Sequence, residues 1–195
     1  SASILSGKII LTAARLAASE RYKGVETVIQ ALRQVIRRVP GTYYLIVGDG
    51  DDRPRLEHIA KDAGVGDHVH FFGTVSEDEL AAYYSACNIF VMPSREEGFG
   101  VVFLEAMAFG KPVIGGNHGG TPDVIEDGVT GFLVEYGDVD TLTDQMIRLL
   151  QDDALRQRMG EAAKRRVLEN YTFEHFRQRL IAVLEALDRR PRCES

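Results

Sequence analysis

The chain has 195 residues, of which 45% are hydrophobic and 27% charged, a composition typical of a soluble globular protein. Its net charge of −6 and the lack of a dense lysine or arginine stripe argue against nucleic-acid binding. Cys87 and Cys193 form neither a disulfide framework nor a zinc motif, and no segment approaches the roughly 20 apolar residues of a membrane span, so we expect a cytoplasmic protein.

Short apolar runs alternate with segments of helical periodicity along almost the whole chain. The predicted strands cover residues 8–12, 43–47, 69–72, 89–92, 113–114 and 131–134. The predicted helices cover residues 24–38, 53–63, 76–86, 100–109, 122–126, 140–150, 153–169 and 173–187. Ser76 followed by Glu79 forms a capping-box pattern at the start of the third helix.

The strands are continuous apolar runs, which is typical of strands that are buried on both faces of a parallel sheet. We therefore predict a doubly wound α/β fold, a mostly parallel six-stranded Rossmann-like sheet with C-terminal helices. Residues 1–172 form the predicted domain, and residues 173–195 form a C-terminal helix and tail. Ligands of such folds bind at the carboxyl ends of the strands, so the functional residues are expected on the loops there.

Several common phosphate and catalytic motifs are missing from these loops. The chain has no Gly-x-Gly-x-x-Gly after its first strand, no Walker loop, no Gly-x-Ser-x-Gly and no His-Glu-x-x-His. Their absence argues against a dinucleotide dehydrogenase, a P-loop ATPase, a serine hydrolase and a zinc protease.

The most informative segment is residues 93–112, with the sequence PSREEGFGVVFLEAMAFGKP. A glycine-containing loop here leads into a helix, and glycine lets a ligand approach the free backbone N–H groups of the first turn. Those groups and the helix dipole together make an anion site. Glu97 precedes this helix and Glu105 lies within it, with seven residues between them. Taken alone, the two glutamates are better explained as solvated acids beside a helix.

The stretch from Glu97 to Glu105 resembles the pattern of two glutamates, seven residues apart, of retaining GT-B glycosyltransferases of group 1, the family four type. Residues 106–113, 119–120 and 127–134 match that family as well. The resemblance implies that Glu97 and its neighbours contact the sugar of a nucleotide-sugar donor and that Glu105 contacts the ribose. It implies further that the amides of Val101 and Val102 face the phosphate. The implied donor-binding residues in this segment are Glu97, Gly98, Phe99, Gly100, Val101, Val102 and Glu105.

A second match to the family lies on the loop after the first strand. Arg15 and Lys23-Gly24 resemble the family's Gly-Arg-Leu and Lys-Gly motif, whose two cations hold the donor diphosphate. Arginine can bind phosphate oxygens bidentately and lysine supplies a compact charge, so both would stabilise the leaving diphosphate. Ala14 stands where the family usually has glycine. The loop also contains an unusual Ala-Ala-Ser-Glu-Arg insert, residues 17–21, in which Arg21 competes with Lys23 for this role. Arg15 and Lys23 can also be explained as ordinary surface cations.

Two further loops are candidates for the nucleotide base and for a metal. Similar loops frame the nucleotide base in the family, so the resemblance implies that Gly48 and Phe72, at the ends of the second and third strands, contact the base, with Val75 as another apolar contact. Plain turns and core aromatics are the alternative. Asp49 and Asp51 spell the Asp-x-Asp pattern of metal-binding GT-A enzymes, but the flanking pattern differs from that fold. We interpret these aspartates as turn and helix-cap residues and expect no metal site.

The resemblance implies a retaining, metal-independent hexosyltransferase that uses a UDP-, GDP- or ADP-sugar and no cofactor. Glu97, Arg15 and Lys23 are its expected catalytic residues, with Glu97 positioning the sugar. The resemblance covers only the donor-binding half of a GT-B enzyme, so we expect the N-terminal acceptor domain to be absent and the isolated chain to be inactive. Peripheral membrane association, if any, is expected through the full-length enzyme.

Three other interpretations remain open at this point. The first is a nucleotide-sugar binding module without transfer activity. The second is a sugar-nucleotide epimerase, which shares the GT-B architecture but whose usual histidine and acid pattern is not evident. The third is a receiver-like domain for protein contacts, which would carry acidic residues beside its first strand where this chain has Arg15 and Lys23.

Overall fold

The computed structural model describes residues 7–172 and residue 174. A single six-stranded sheet lies at its centre, with the order β3-β2-β1-β4-β5-β6, and every pair of neighbouring strands is parallel. The strands are β1 (Lys8–Ala13), β2 (Thr42–Val47), β3 (Val69–Gly73), β4 (Ile89–Met92), β5 (Val113–Gly116) and β6 (Gly131–Val134). The predicted doubly wound, Rossmann-like fold is confirmed, and the sheet is parallel throughout.

Seven α-helices lie wholly within the described residues and connect or follow these strands. They are α1 (Val25–Arg38), α2 (Arg53–Asp62), α3 (Glu77–Ala86), α4 (Val101–Ala108), α5 (Thr121–Val124), α6 (Val139–Gln151) and α7 (Asp153–Asn170). Two short 3-10 helices, Ala18–Lys23 and Gly66–His68, were not predicted. The predicted helix at residues 173–187 lies outside the described residues.

The core has two layers because side chains alternate between the faces of each strand. Ile10 of β1 packs with α1, α2 and α6 on one face, whereas Ile9 and Leu11 pack with α3, α4 and α5 on the other. Strands covered on both sides read as continuous apolar runs, which is why the sequence located all six of them.

The helix α7 crosses the edge of the sheet and contributes to both layers. Its Leu155 and Met159 belong to the first layer and its Ala163 to the second. Gly160 allows close packing, because a Cβ at this position would lie 2.0 Å from the carbonyl oxygen of Gly110. None of the helices among the described residues is long and apolar enough to cross a membrane.

Candidate functional site

The loops after β1 and β2 pack against each other at the carboxyl edge of the sheet. A Cβ on Gly48 would lie 1.9 Å from the carbonyl oxygen of Ala14, and one on Gly50 would lie 2.2 Å from that of Leu16. The backbones are joined by hydrogen bonds from the Leu16 N–H to the Asp49 carbonyl and from the Asp52 N–H to the Leu16 carbonyl, both 2.9 Å long. The two glycines therefore serve close backbone approach. Ala14 is accommodated, since no described residue other than glycine has a positive φ.

Arg15 and Lys23 converge on one carboxylate in the loop after β1. The Arg15 Nη2 donates to Oε1 of Glu20, and the Lys23 Nζ lies 2.9 Å from Oε2 of the same residue. The Glu20 side chain is only 8% exposed, while those of Arg15 and Lys23 are 72% and 19% exposed. The structure thus brings together the two cations that the sequence singled out, and it adds a buried acid between them.

Arg21, the alternative to Lys23, is engaged elsewhere. Its guanidinium lies 2.8 Å from Oδ1 of the buried Asp52, which also accepts two hydrogen bonds of 2.8 and 2.7 Å from Arg55. The hydrogen bonds from Arg55 hold the pKa of Asp52 below its usual value, with a further contribution from Arg21. The Arg55 guanidinium also lies 2.5 Å from Glu26. Arg21 therefore anchors the insert to the start of α2.

The loop after β4 leads into α4 as the sequence predicts. Gly100 precedes the helix with a φ of 71°, a left-handed conformation that favours glycine. Its carbonyl accepts from the N–H groups of Phe103 and Leu104, whereas those of Val101 and Val102 donate no hydrogen bond within the described part of the chain. These two N–H groups carry the positive end of the helix dipole, so they are available to an anion.

Glu97 is half-buried where the loops after β4 and β5 meet. Its carbonyl accepts a 2.8 Å hydrogen bond from the Gly120 N–H, and a Cβ on Gly119 would lie 2.5 Å from the same oxygen. A Cβ on Gly120 would lie 1.9 Å from the carbonyl oxygen of Gly98. The glycine pair therefore fixes the backbone on which the Glu97 carboxylate is mounted.

The loop after β1 also contacts the loop after β4. The Arg95 N–H donates a 2.8 Å hydrogen bond to the carbonyl of Tyr22. A Cβ on Gly24, which precedes α1 with a φ of 78°, would lie 2.6 Å from the Pro93 carbonyl oxygen. The segment that carries Lys23 is thus fastened to the segment that leads to Glu97 and α4.

Glu105 lies in α4, where its Oε2 accepts a 2.8 Å hydrogen bond from the hydroxyl of Tyr84 in α3. Tyr84 is almost fully buried, and its burial and the neighbouring Glu105 carboxylate raise its pKa well above the usual value. The phenol therefore remains a proton donor to Glu105. The sequence analysis did not find this partner, which lies 21 residues away on another helix.

The candidate base contacts occupy the neighbouring edge of the site. The Gly48 N–H donates a 2.8 Å hydrogen bond to the Gly73 carbonyl, which joins the loops after β2 and β3. Phe72 is 40% exposed and its ring lies 4.9 Å from that of Tyr83. Val75 packs, partly buried, against the core layer under α3.

The aspartates after β2 have protein partners. The Asp49 and Asp51 carboxylates accept hydrogen bonds from the N–H groups of Gly50 and Ala18, at 2.8 and 2.7 Å. The turn interpretation holds for Asp51, which lies in the turn before α2. The helix-cap interpretation holds for neither aspartate, because their carboxylates accept from Gly50 and Ala18 instead of from the first turn of α2. Over residues 7–172 and 174, no group of three or more His, Cys, Asp or Glu has a metal-binding arrangement.

The structure therefore gathers the predicted residues into three neighbouring groups: the cations around Glu20, the Glu97 loop with the start of α4, and the Glu105–Tyr84 pair. Glu20 was missed because a glutamate in an irregular insert gives no sign of its burial. The sequence offered one indication of its role, because Glu20 lies between the basic residues Arg15 and Lys23.

Comparison with known sequences supports a single family. A family model described as "Glycosyl transferases group 1" matches residues 3–166. The chain is 38% identical over 173 residues to a GDP-mannose-dependent alpha-(1-6)-phosphatidylinositol monomannoside mannosyltransferase of Mycobacterium tuberculosis (strain CDC 1551 / Oshkosh). That match covers 85% of this chain and 45% of the mannosyltransferase, so the chain spans less than half of its relative.

Solved structures share the fold. Sucrose-phosphate synthase from Thermosynechococcus elongatus superposes with a TM-score of 0.84 at 33% identity, over 94% of this chain and 46% of the synthase. The C-terminal domain of a glycosyl transferase group 1 family protein, LpcC from Francisella tularensis, superposes with a TM-score of 0.75 at 28% identity. The latter match covers 86% of this chain and 87% of the solved domain.

Proposed function

Because the chain belongs to the family of group 1 glycosyl transferases, we propose that it is the donor-binding part of a retaining enzyme that transfers a sugar from a nucleotide-diphosphate sugar to an acceptor hydroxyl. The observation that carries this proposal is the convergence of Arg15 and Lys23 at the carboxyl edge of β1. Their segment is hydrogen-bonded to the loop that leads to the free N–H groups of α4. Two cations and a helix amino end form a surface suited to a pyrophosphate.

The chemistry proposed for these groups is electrostatic. Breaking the bond between the sugar and the phosphate places negative charge on the departing diphosphate, which Arg15, Lys23 and the first turn of α4 would stabilise. Glu97 would orient the sugar through its hydroxyls, and Glu105 would accept hydrogen bonds from the ribose. Retention of configuration follows if the acceptor hydroxyl reaches the sugar on the face from which the diphosphate departs.

We propose that this reaction requires no metal, because fixed cations of the chain would meet the charge of the diphosphate. The carboxylates of Asp49 and Asp51 accept backbone hydrogen bonds, which supports a structural role for both. A cytoplasmic location, and membrane association only through a longer enzyme, remain predictions.

The chain alone would bind the donor without transferring its sugar. This part of the proposal rests on coverage, since the chain spans 45% of the mannosyltransferase it matches. The nucleotide is proposed to be UDP, GDP or ADP. GDP is the first to test, because that relative is described as GDP-mannose-dependent.

Titration calorimetry with UDP, GDP and ADP tests the proposal. We expect one diphosphate to bind measurably, and Arg15→Ala or Lys23→Ala to weaken it by about tenfold or more, since hydrogen bonds between charged groups contribute ~1.5–3 kcal/mol each. Arg37→Ala is the control, because this exposed arginine lies in the last turn of α1, away from the strand ends. Arg15 and Lys23 together are called the clamp below. Unchanged affinity in both clamp variants would contradict the proposed site.

A further inference from the structure

Glu20 places a negative charge where an anion is proposed to bind, which is unexpected for a site of this kind. Each of its carboxylate oxygens pairs with a different cation, Oε1 with Arg15 and Oε2 with Lys23. The side chain is 8% exposed, so it is enclosed beneath the two cations. A buried carboxylate requires partners, and here both partners are the residues of the proposed clamp.

The backbone around Glu20 is fixed on several sides. Glu20 belongs to the 3-10 helix Ala18–Lys23, where its own N–H donates a 2.8 Å hydrogen bond to the Ala17 carbonyl. The following residue, Arg21, pairs with the buried Asp52, and the Tyr22 carbonyl accepts from the Arg95 N–H. The carboxylate is therefore held by its backbone as well as by the cations.

Both cations keep N–H donors that Glu20 does not use and that can bind a ligand. An arginine side chain has five N–H donors and a lysine ammonium has three. Arg15 and Lys23 each direct a nitrogen at Glu20, and Arg15 remains 72% exposed. The carboxylate thus lies on the protein side of the cations, with donors still available on the other side.

We propose that Glu20 is a positioning residue, which holds Arg15 and Lys23 at a fixed separation so that both can contact one pyrophosphate. This inference rests on the proposed function. Without Glu20, the mostly buried Lys23 ammonium would lack a partner and the long Arg15 side chain would sample many rotamers. Donors that are already in place bind a ligand without having to be ordered first.

A purely electrostatic role makes a different prediction, because a negative charge near the site should repel a diphosphate and its removal should then strengthen binding. Two variants distinguish the roles. Glu20→Gln keeps the size of the side chain and removes the charge, whereas Glu20→Asp keeps the charge and withdraws it from the cations by one methylene. If Glu20 acts by position, both variants should weaken binding.

The probes are inorganic pyrophosphate and whichever of UDP, GDP and ADP binds most tightly, with its free nucleoside as reference. We expect Glu20→Gln and Glu20→Asp each to lower the affinity for both phosphate probes by on the order of tenfold, by analogy with the loss seen when residues that orient the ligands of a metal are removed. The affinity for the nucleoside should not change. A nucleoside affinity that falls in parallel would indicate general disruption of the fold and overturn the inference.

Glu26→Gln and Glu26→Asp are the matched controls. Glu26 lies in the first turn of α1 and pairs with Arg55 instead of the clamp, so its variants make the same chemical changes nearby. Tighter or unchanged phosphate binding in the Glu20 variants, or equal effects in the Glu26 variants, would overturn the positioning role. If Arg15→Ala and Lys23→Ala also have no effect, the proposed function fails; if they weaken binding while the Glu20 variants do not, only this inference fails.

Discussion

Tyr84 and Glu105 form a hydrogen-bonded pair in the candidate site. The Tyr84 hydroxyl donates a 2.8 Å hydrogen bond to Glu105, and the ring packs between those of Phe90 and Phe109, each with its centroid 5.8 Å away. Tyr84→Phe keeps the ring and removes the donor. We expect the affinity for the bound nucleoside diphosphate to fall about fivefold, since one hydrogen bond contributes ~1 kcal/mol. Inorganic pyrophosphate, which has no ribose, should bind as before in calorimetric titrations.

Tyr44→Phe is the matched control for this prediction. Tyr44 is also fully buried, and its hydroxyl is 2.8 Å from the Thr12 hydroxyl in the interior of the sheet. Its loss should lower the melting temperature without changing nucleotide affinity. Equal weakening of pyrophosphate and nucleotide by Tyr84→Phe would show that the variant disturbs α4 as a whole and would contradict a role at the ribose.

Which single residues could be foreseen depends on how far away their partners lie in sequence. Glu97, Gly100 and Glu105 lie within one continuous loop and helix, so their spacing in the sequence was enough to predict their relative placement. The helix α4 begins directly after Gly100 as predicted. Tyr84 could not be assigned to Glu105, because an apolar helix face gives no indication of which tyrosine hydroxyl finds a carboxylate on another helix.

At the scale of elements, α3 begins with the capping box that the sequence predicts. The Ser76 hydroxyl accepts from the Glu79 N–H, and the Glu79 carboxylate accepts from the Ser76 N–H at 2.8 Å. The Ser76 N–H and the Ser76 hydroxyl both donate to the Glu79 carboxylate, and these two hydrogen bonds lower the pKa of Glu79. We expect Ser76→Ala to lower the free energy of unfolding by ~1 kcal/mol, measured by denaturant titration.

Ser76→Gly separates the cap from other effects of the substitution. Glycine is a tolerable cap, so this variant should lose only a few tenths of a kcal/mol. A loss as large as that of Ser76→Ala would mean that the serine stabilises α3 by something other than its cap, and no loss in either variant would show that the box contributes nothing.

Regular elements were more predictable than the insert after β1. Apolar periodicity located every strand and each described α-helix to within two residues, because burial on the sheet imposes that periodicity. The 3-10 helix Ala18–Lys23 has no comparable apolar pattern. Its conformation depends on contacts with Asp52, Arg95 and Pro93, which lie on loops later in the chain. The location of Glu20 inside the site was hidden for the same reason.

At the scale of the whole molecule, the alternation of strands and helices predicted the layers of the fold. The topological switch point between β1 and β4, where the order of the strands reverses, explains where the site lies. The chain adds β2 and β3 on one side of β1, then returns to place β4, β5 and β6 on the other. Helices that follow β1 and β4 therefore leave the sheet on opposite faces, and the gap between their loops is where doubly wound folds bind ligands. Arg15, Lys23 and Glu97 all lie on these two loops.

Asp52 links this gap to the stability of the molecule. It is 4% exposed and receives Arg21 from the insert and Arg55 from α2, so it fastens the loop after β1 to the loop after β2. Its pKa is lowered in the folded chain, chiefly by the hydrogen bonds from Arg55. An aspartate whose folded pKa lies below its unfolded value stabilises the fold above the unfolded pKa of about 3.9, and that contribution disappears as the pH falls through the folded pKa.

The unfolding free energies of the wild-type chain and of Asp52→Asn should therefore converge in acid. At pH 7 we expect the variant to be less stable by ~1–3 kcal/mol, because it weakens hydrogen bonds between charged groups. Below about pH 4 the difference should shrink, since the wild-type carboxyl becomes protonated and loses its ion pairs. Denaturant titrations from pH 7 to pH 3 measure this difference in unfolding free energy. The control is Asp144→Asn, at an exposed position of α6, whose stability we expect to stay within ~0.5 kcal/mol of wild type. A stability gap for Asp52→Asn that is independent of pH would show that the shape of the side chain, and not its charge, holds the two loops together.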